Sequence, residues 1–137
     1  MTLEEFLNKE ENKIDKETAC ELLEKFKGKF ITADYNPKNQ KKCWLLWANL
    51  VCKAKLISTE DFESIPLARE KKVYFYSERD RQMFRVPFAE VCELVAGMEP
   101  WEEVDAEIFD DSYKWMIAIT HEEETLVYGV EENRDGK

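Results

Sequence analysis

A chain of 137 residues has the length of one ordinary domain, and with 44% hydrophobic and 12% aromatic side chains it is too apolar to stay unfolded, although 36% of it is charged. The formal net charge of -10 is unevenly spread: residues 1–85 hold 17 basic and 15 acidic side chains, a balance of +2, whereas 86–137 hold 15 acidic ones against Lys114, Arg134 and Lys137, a balance of -12. Such a field repels nucleic-acid backbones and anionic lipid and draws in basic partners.

Thr2 with Glu5 three residues later forms a capping box ahead of Phe6 and Leu7, which predicts a short first helix ending before Asp15. Asp15 then caps a second helix whose Ala19, Leu22, Leu23 and Phe26 make one apolar stripe, with Cys20 beside it and Gly28 as its stop. Phe30 to Asp34 reads as a short strand, followed by a loop at Asn36, Pro37 and Asn39. The segment Trp44 to Ile57 fits both a helical and an alternating pattern, and its length favours helix. Whether Trp44 and Trp47 lie in the core or form an exposed pair decides between a monomer and a homodimer. Ser58 ahead of Asp61 caps another short helix carrying Phe62 and Ile65, which Pro66 ends.

From Lys72 the period changes to two. Val73 and Phe75 alternate with Tyr74 and Tyr76, Ser77 to Arg81 is polar, and Met83 to Val86 returns, which predicts a hairpin. Pro87 suits the first turn of a helix whose stripe of Phe88, Val91, Leu94 and Val95 stops at Gly97. A loop around Pro100 and Trp101 precedes three strand candidates, Ala106 to Phe109, Tyr113 to Thr120 and Thr125 to Val130, most simply a meander. The middle one has Tyr113, Trp115, Ile117 and Ile119 on one side and Met116 and Ala118 on the other, the signature of a central strand covered on both faces. The tail 131–137 is polar and expected to be flexible. The fold class is therefore α+β: a single domain over 1–130, with N-terminal helices packed on an antiparallel sheet of about five strands that ends in a three-stranded meander.

The chain carries no recognisable set of catalytic residues. Cys20, Cys43, Cys52 and Cys92 match neither the paired spacing of a zinc site nor a secreted disulfide framework, and they read as buried, inert thiols. The four glycines are scattered, so there is no phosphate loop, and no nucleophile elbow is present. No metal or cofactor is expected. His121 is the single imidazole, and Asp110, Asp111 or Glu122 beside it offers the makings of a general base; the alternative is a polar turn position. Arg69, Lys71, Lys72, Arg79, Arg81 and Arg85, interleaved with Tyr74, Tyr76 and Phe84, have the composition of a single-strand nucleic-acid platform. They surround a hairpin, where Lys and Arg serve to keep sheet edges apart, and no nucleic-acid partner is expected.

Carboxylates sit beside aromatics in the C-terminal third. Trp101, Glu102, Glu103, Asp105, Asp110, Asp111, Tyr113, His121, Glu122 and Glu123 are the candidate partner-binding residues, because aromatic anchors within a rim of one charge sign suit an interface with a basic protein. Glu124 and Glu107 belong to the same acidic set, and Glu107 and Asp105, two apart, share one strand face.

The run from Phe109-Asp110 through Trp115 to Thr120-His121-Glu122 resembles the C-terminal motif of small, largely uncharacterised bacterial domains with a Phe-Asp, Trp and Thr-His-Glu pattern, which are similar to the immunity proteins encoded beside polymorphic toxins. The match covers about a tenth of the chain. It implies a small acidic bacterial protein that acts by binding and blocks a basic toxin domain; a nuclease is the natural target, since carboxylates can occupy its cationic groove in place of phosphates. It supplies no catalytic residues. The acidic first dozen residues are unlike a signal peptide and no apolar run reaches about 18 residues, so a cytoplasmic, membrane-free protein is expected. Two further classes remain: a small enzyme using His121 with a nearby carboxylate, and a regulatory or scaffold module.

Overall fold

The computed structural model describes residues 1–36, 38 and 45–130. The Thr2 and Glu5 capping box forms at the start of helix α1 (Leu3–Leu7), and the Asp15 carboxylate accepts from the Thr18 N–H at the start of α2 (Lys16–Phe30). Gly28 does not stop α2. One more turn brings Phe30 beside Phe26, ring centroids 5.1 Å apart, and burying that ring outweighs the roughly 1 kcal/mol that a helical glycine costs. Of the strand expected at Phe30 to Asp34, one bridge from Ile31 to Leu50 forms.

The segment read as helix is, over residues 45–58, a 3-10 turn (Leu46–Asn49), an irregular stretch, and a strand, β1 (Lys55–Ser58); Trp47 is half-buried, and Trp44, like Pro37 and Asn39 of the expected loop, lies outside the described residues. Several of this segment's backbone groups bond outward and do not continue a helix: the Val51 N–H donates to the Phe30 carbonyl, and the Asn49 carbonyl accepts from Thr32. Another 3-10 turn (Thr59–Ser64), capped by Ser58, buries Phe62. The predicted hairpin forms as β2 (Lys72–Ser77) and β3 (Gln82–Pro87), followed by α3 (Phe88–Ala96), which ends at Gly97. The meander comprises β4 (Ala106–Phe109), β5 (Met116–Ile119) and β6 (Glu124–Tyr128).

All six strands form one antiparallel sheet in the order β1-β6-β5-β4-β2-β3. The class is α+β, with one strand more than expected because β1 joins the far side of the meander. β5 is central and buried along its length, and its alternation holds: Trp115, Ile117 and Ile119 face one core, Met116 and Ala118 the other. Tyr113 departs from it. Its φ of 53° turns the chain ahead of the strand, and its ring packs with the Met116 face against Phe109.

Both sheet faces are covered. On the first, α1, α3 and the Thr59–Ser64 turn bury Phe6, Phe62, Phe88 and Leu94 against Phe75, Phe84 and Ile108; Phe6 meets Phe75 with ring centroids 4.8 Å apart. On the second, α2 and the Leu46–Asn49 turn bury Phe26, Phe30 and Leu46 against Tyr74, Phe109 and Met116. Each buried ring of this kind contributes about 1.5–3 kcal/mol. Tyr74 and Phe84 lie in these cores and Tyr76 is half-buried, so the basic residues around the hairpin have no exposed stacking rings between them. Of the cysteines, Cys92 is buried, Cys52 half-buried and Cys20 exposed, since Cys20 falls beside the stripe of α2 and not in it; Cys43 and the tail 131–137 lie outside the described residues. Among the described residues no helix is long and apolar enough to cross a membrane.

Two glycines predict opposite responses to one methyl group. Gly129 has φ +76°, and a Cβ there would collide with the Lys114 carbonyl oxygen, whereas at Gly28, inside α2, a Cβ meets nothing within 4 Å. Urea denaturation of Gly129→Ala is expected to show a loss of about 2 kcal/mol or more, and of Gly28→Ala a gain of about 0.5–1 kcal/mol.

Candidate functional site

The pairing of β2 with β4 sets Tyr76 opposite Glu107, and beyond the strand end the Glu78 N–H donates to the Asp105 carbonyl. Three carboxyl groups thus gather on one face at one end of the sheet, as the two-residue spacing of Asp105 and Glu107 predicts. All three are buried.

Asp105 is the best satisfied. Its carboxylate accepts from the Trp47 indole at 2.8 Å, the Arg79 Nε at 2.8 Å, the His121 backbone N–H at 3.1 Å and the His121 Nδ1 at 2.9 Å. Burial pushes this carboxyl up, but the hydrogen bonds from His121 and Trp47 outweigh it and hold Asp105 below the ordinary aspartate value. Asp105 is therefore ionised, and the His121 Nδ1 facing it carries a proton and donates. The His121 side chain is 30% exposed and stacks edge-on against Trp47, with centroids 5.8 Å apart.

Glu78 and Glu107 solve the opposite problem. Both Glu78 oxygens accept from the Leu46 N–H at 3.0 Å, which anchors the Leu46–Asn49 turn on the sheet. Neither Glu107 oxygen accepts a hydrogen bond. Two adjoining carboxyls cannot both carry a charge cheaply in a buried place, and the fully buried Glu107 is the one that keeps its proton, facing Glu78. Burial first, then the Glu78 charge, pushes Glu107 well above the ordinary glutamate value. Tyr76 stays a neutral phenol beside them, pushed up to about 12 by burial and by the Glu78 charge.

His121 also lines a groove of about 1060 Å³ between the Thr59–Ser64 turn, the end of α3, loop 99–103 and turn 121–124. Its floor is apolar, from Ile57, Phe62, Val95 and Met98. Among the described residues its rim holds eight glutamates and no lysine or arginine: Glu60 and Glu63 from the 3-10 turn, three from loop 99–103 and three from turn 122–124. Trp101, 76% exposed, stands on the same rim.

The candidate partner-binding residues therefore fall into three places. Trp101, Glu102, Glu103, His121, Glu122 and Glu123 are brought together on the groove. Asp105 lies beneath it, fully buried, and joins it only through His121 and through Arg79, which also reaches Glu103 at 3.5 Å. Asp110, Asp111 and Tyr113 sit at the other end of β4, about 13 Å of strand away, and are engaged locally. Asp110 pairs with Lys71 at 3.1 Å and accepts from Ser112, and Asp111 accepts from the Tyr74 hydroxyl at 2.7 Å. Glu60 and Glu63 were not foreseen, because only the pairing of β1 with β6 brings them to the rim. Glu78 was not foreseen either; its one signal is its step of two from Tyr74 and Tyr76.

No protein-family model, no curated protein and no solved structure matches the chain.

The carboxyl pair fixes a pH dependence of stability. Glu107 holds its proton in the fold and loses it in the unfolded chain above about pH 4.5, so its contribution is fully present below that pH and falls as pH rises towards the folded value, by at most about 1.4 kcal/mol per pH unit. Glu107→Gln removes the titrating proton and still offers Glu78 an N–H. Thermal denaturation between pH 5 and 8 is expected to show a flatter profile for Glu107→Gln, with its advantage over the parent chain widening as pH rises.

Proposed function

We propose that this chain is a binding protein of the immunity type, which holds a basic partner, a toxin domain by the resemblance of its Phe109 to Glu122 motif, in the glutamate-rimmed groove. The observation that carries this reading is the groove itself: eight like charges converge there from three separate segments around an apolar floor, with an exposed tryptophan at the rim and no lysine or arginine among its described lining residues. Like charges held together repel one another, and a partner's lysines and arginines relieve that repulsion while its apolar side chains cover the floor. A nuclease domain fits this demand, because its own groove is built to bind phosphates.

An enzymatic reading has one observation in its favour, the Asp105 and His121 pair opening on the groove. It lacks a nucleophile. Among the described residues no hydrogen bond joins His121 to a hydroxyl or thiol: the Thr120 hydroxyl donates to the Glu124 carbonyl and the Thr59 hydroxyl pairs with Thr125. The Asp105 bonds also fix turn 121–124 in place, a sufficient structural reason for the pair.

The test is capture of the partner with the tagged chain from lysate of its native host at low salt, followed by association kinetics with the identified protein. A basic, salt-labile, stoichiometric partner is expected. Reversing Glu60, Glu99, Glu122 and Glu123 to Lys should slow its association by about tenfold or more and flatten the salt dependence, whereas Asp111→Lys, at the far end of the sheet, should leave both unchanged. Equal effects of the two variants, or none, would refute the groove.

A further inference from the structure

The two edges of the sheet are protected differently. Along β3, Lys13 bridges to Phe84 and the Ile14 N–H donates to the Met83 carbonyl, so a segment of the chain itself covers that edge. β1 has no such cover among the described residues. Its register with β6 fixes which of its groups are free. The Thr59 N–H donates to the Glu123 carbonyl, in step with the pairs Ile57 to Thr125 and Lys55 to Val127, so the odd-numbered residues bond inward and the N–H and C=O of Leu56 and Ser58 point outward. Leu56 is 54% exposed, and Leu56, Ile57, Ser58 and Thr59 form one wall of the glutamate-rimmed groove.

We propose that β1 is the docking edge for an extended, basic segment of the partner, which adds to the sheet as a seventh strand. This rests on the groove reading and deepens it by naming the form of the occupant. Charge complementarity selects that occupant. A strand added to β1 places the side chains of residues level with Ile57 on the groove side, towards Glu60 and turn 122–124, and those level with Leu56 and Ser58 on the other side, against the exposed leucine. The segment therefore alternates basic and apolar residues. A second copy of this chain is disfavoured as occupant, since pairing β1 with itself brings two glutamate rims together.

Ser58 supplies a selective block. Its φ of -70° suits proline, Ile57 before it is already extended, and its N–H is one of the outward pair, so Ser58→Pro removes a docking donor and crowds the edge without breaking a bond to β6. Ser58→Ala is the control, losing the same hydroxyl cap and keeping the N–H.

The experiment is titration of the full chain, by calorimetry at low salt, with a capped seven-residue peptide in which lysine and arginine alternate with valine. Two N-methylated versions follow, one methylated on the valines and one on the basic residues, because antiparallel and parallel addition use different N–H groups. The expected result is binding of the parent peptide, loss of about tenfold or more for one methylated version, and a comparable loss for Ser58→Pro but not Ser58→Ala. If both methylated peptides bind like the parent, strand addition is overturned while the acidic groove stands. If the parent peptide does not bind, or binds unchanged after the four glutamate reversals, the groove reading fails with it. Sedimentation showing a dimer that Ser58→Pro dissolves would assign the edge to a second copy and overturn the proposal.

Discussion

The Asp105 carboxylate is the contact on which the groove end of the molecule depends. It takes four hydrogen bonds from three directions: the Leu46–Asn49 turn through Trp47, the β2 to β3 connection through Arg79, and the β5 to β6 turn through both nitrogens offered by His121. None of these segments has much core of its own. Two are connections and the third is a single 3-10 turn, so without a shared acceptor their orientation would rest on a few backbone bonds. An ionised carboxylate with four donors is a stable solution to burying a charge, because each charge-assisted bond offsets part of the desolvation cost. The glutamates of loop 99–103 and turn 122–124 flank this point on either side, and their convergence follows from it.

Next to this satisfied charge lies its counterpart, a carboxyl that stays neutral. Glu107 sits between the Glu78 and Asp105 carboxylates with no cation to offset a third negative charge, so keeping the proton is the less costly state. An apolar residue at 107 would remove the problem but also the protonated carboxyl facing Glu78, whose oxygens hold the Leu46 N–H. The cluster thus ties the second-face cover to the sheet by hydrogen bonds where Phe26 and Phe30 do not reach, and it specifies one placement of that cover where apolar packing alone would tolerate several.

Much of this fold was legible because its segments carry one clean period each. The β2 and β3 hairpin, the α3 stripe ending at Gly97 and the two-faced β5 all formed where alternation or a 3.6-residue repeat was unbroken. The stretch 45–57 failed that test for a physical reason: it leaves the second face, crosses the sheet end and becomes an edge strand, so no single face organises its apolar residues. Gly28 misled because a local stop signal lost to a distant contact, the burial of Phe30. The site was half legible. Composition marked the acidic stretch, but strand length sets Asp110 and Asp111 at one end of β4 and Glu102 and Glu103 at the other, and only the β1 to β6 pairing adds Glu60 and Glu63. Asp105 and Glu107 announced a shared face by their spacing; that the face is buried depends on Leu46 and Trp47, 58 or more positions away.

The charge distribution and the open edge explain one another. An exposed strand edge invites pairing with any extended chain, and proteins suppress this by covering the edge, shortening it or charging it. β3 is covered by the chain's own Lys13 and Ile14. β1 is only short, four residues, and the charge beside it is not the lysine customary on guarded edges but a bank of glutamates at one end, with Lys53 and Lys55 confined to the other. A bank of one sign repels a second copy of itself and any acidic chain, and it admits a basic one. Self-repulsion within the groove is a standing cost to the fold, carried by short connections that Asp105 holds in place. Spread over the surface, the same charge would have given equal solubility at less cost; its concentration beside the edge left uncovered among the described residues is the feature on which the proposed docking rests.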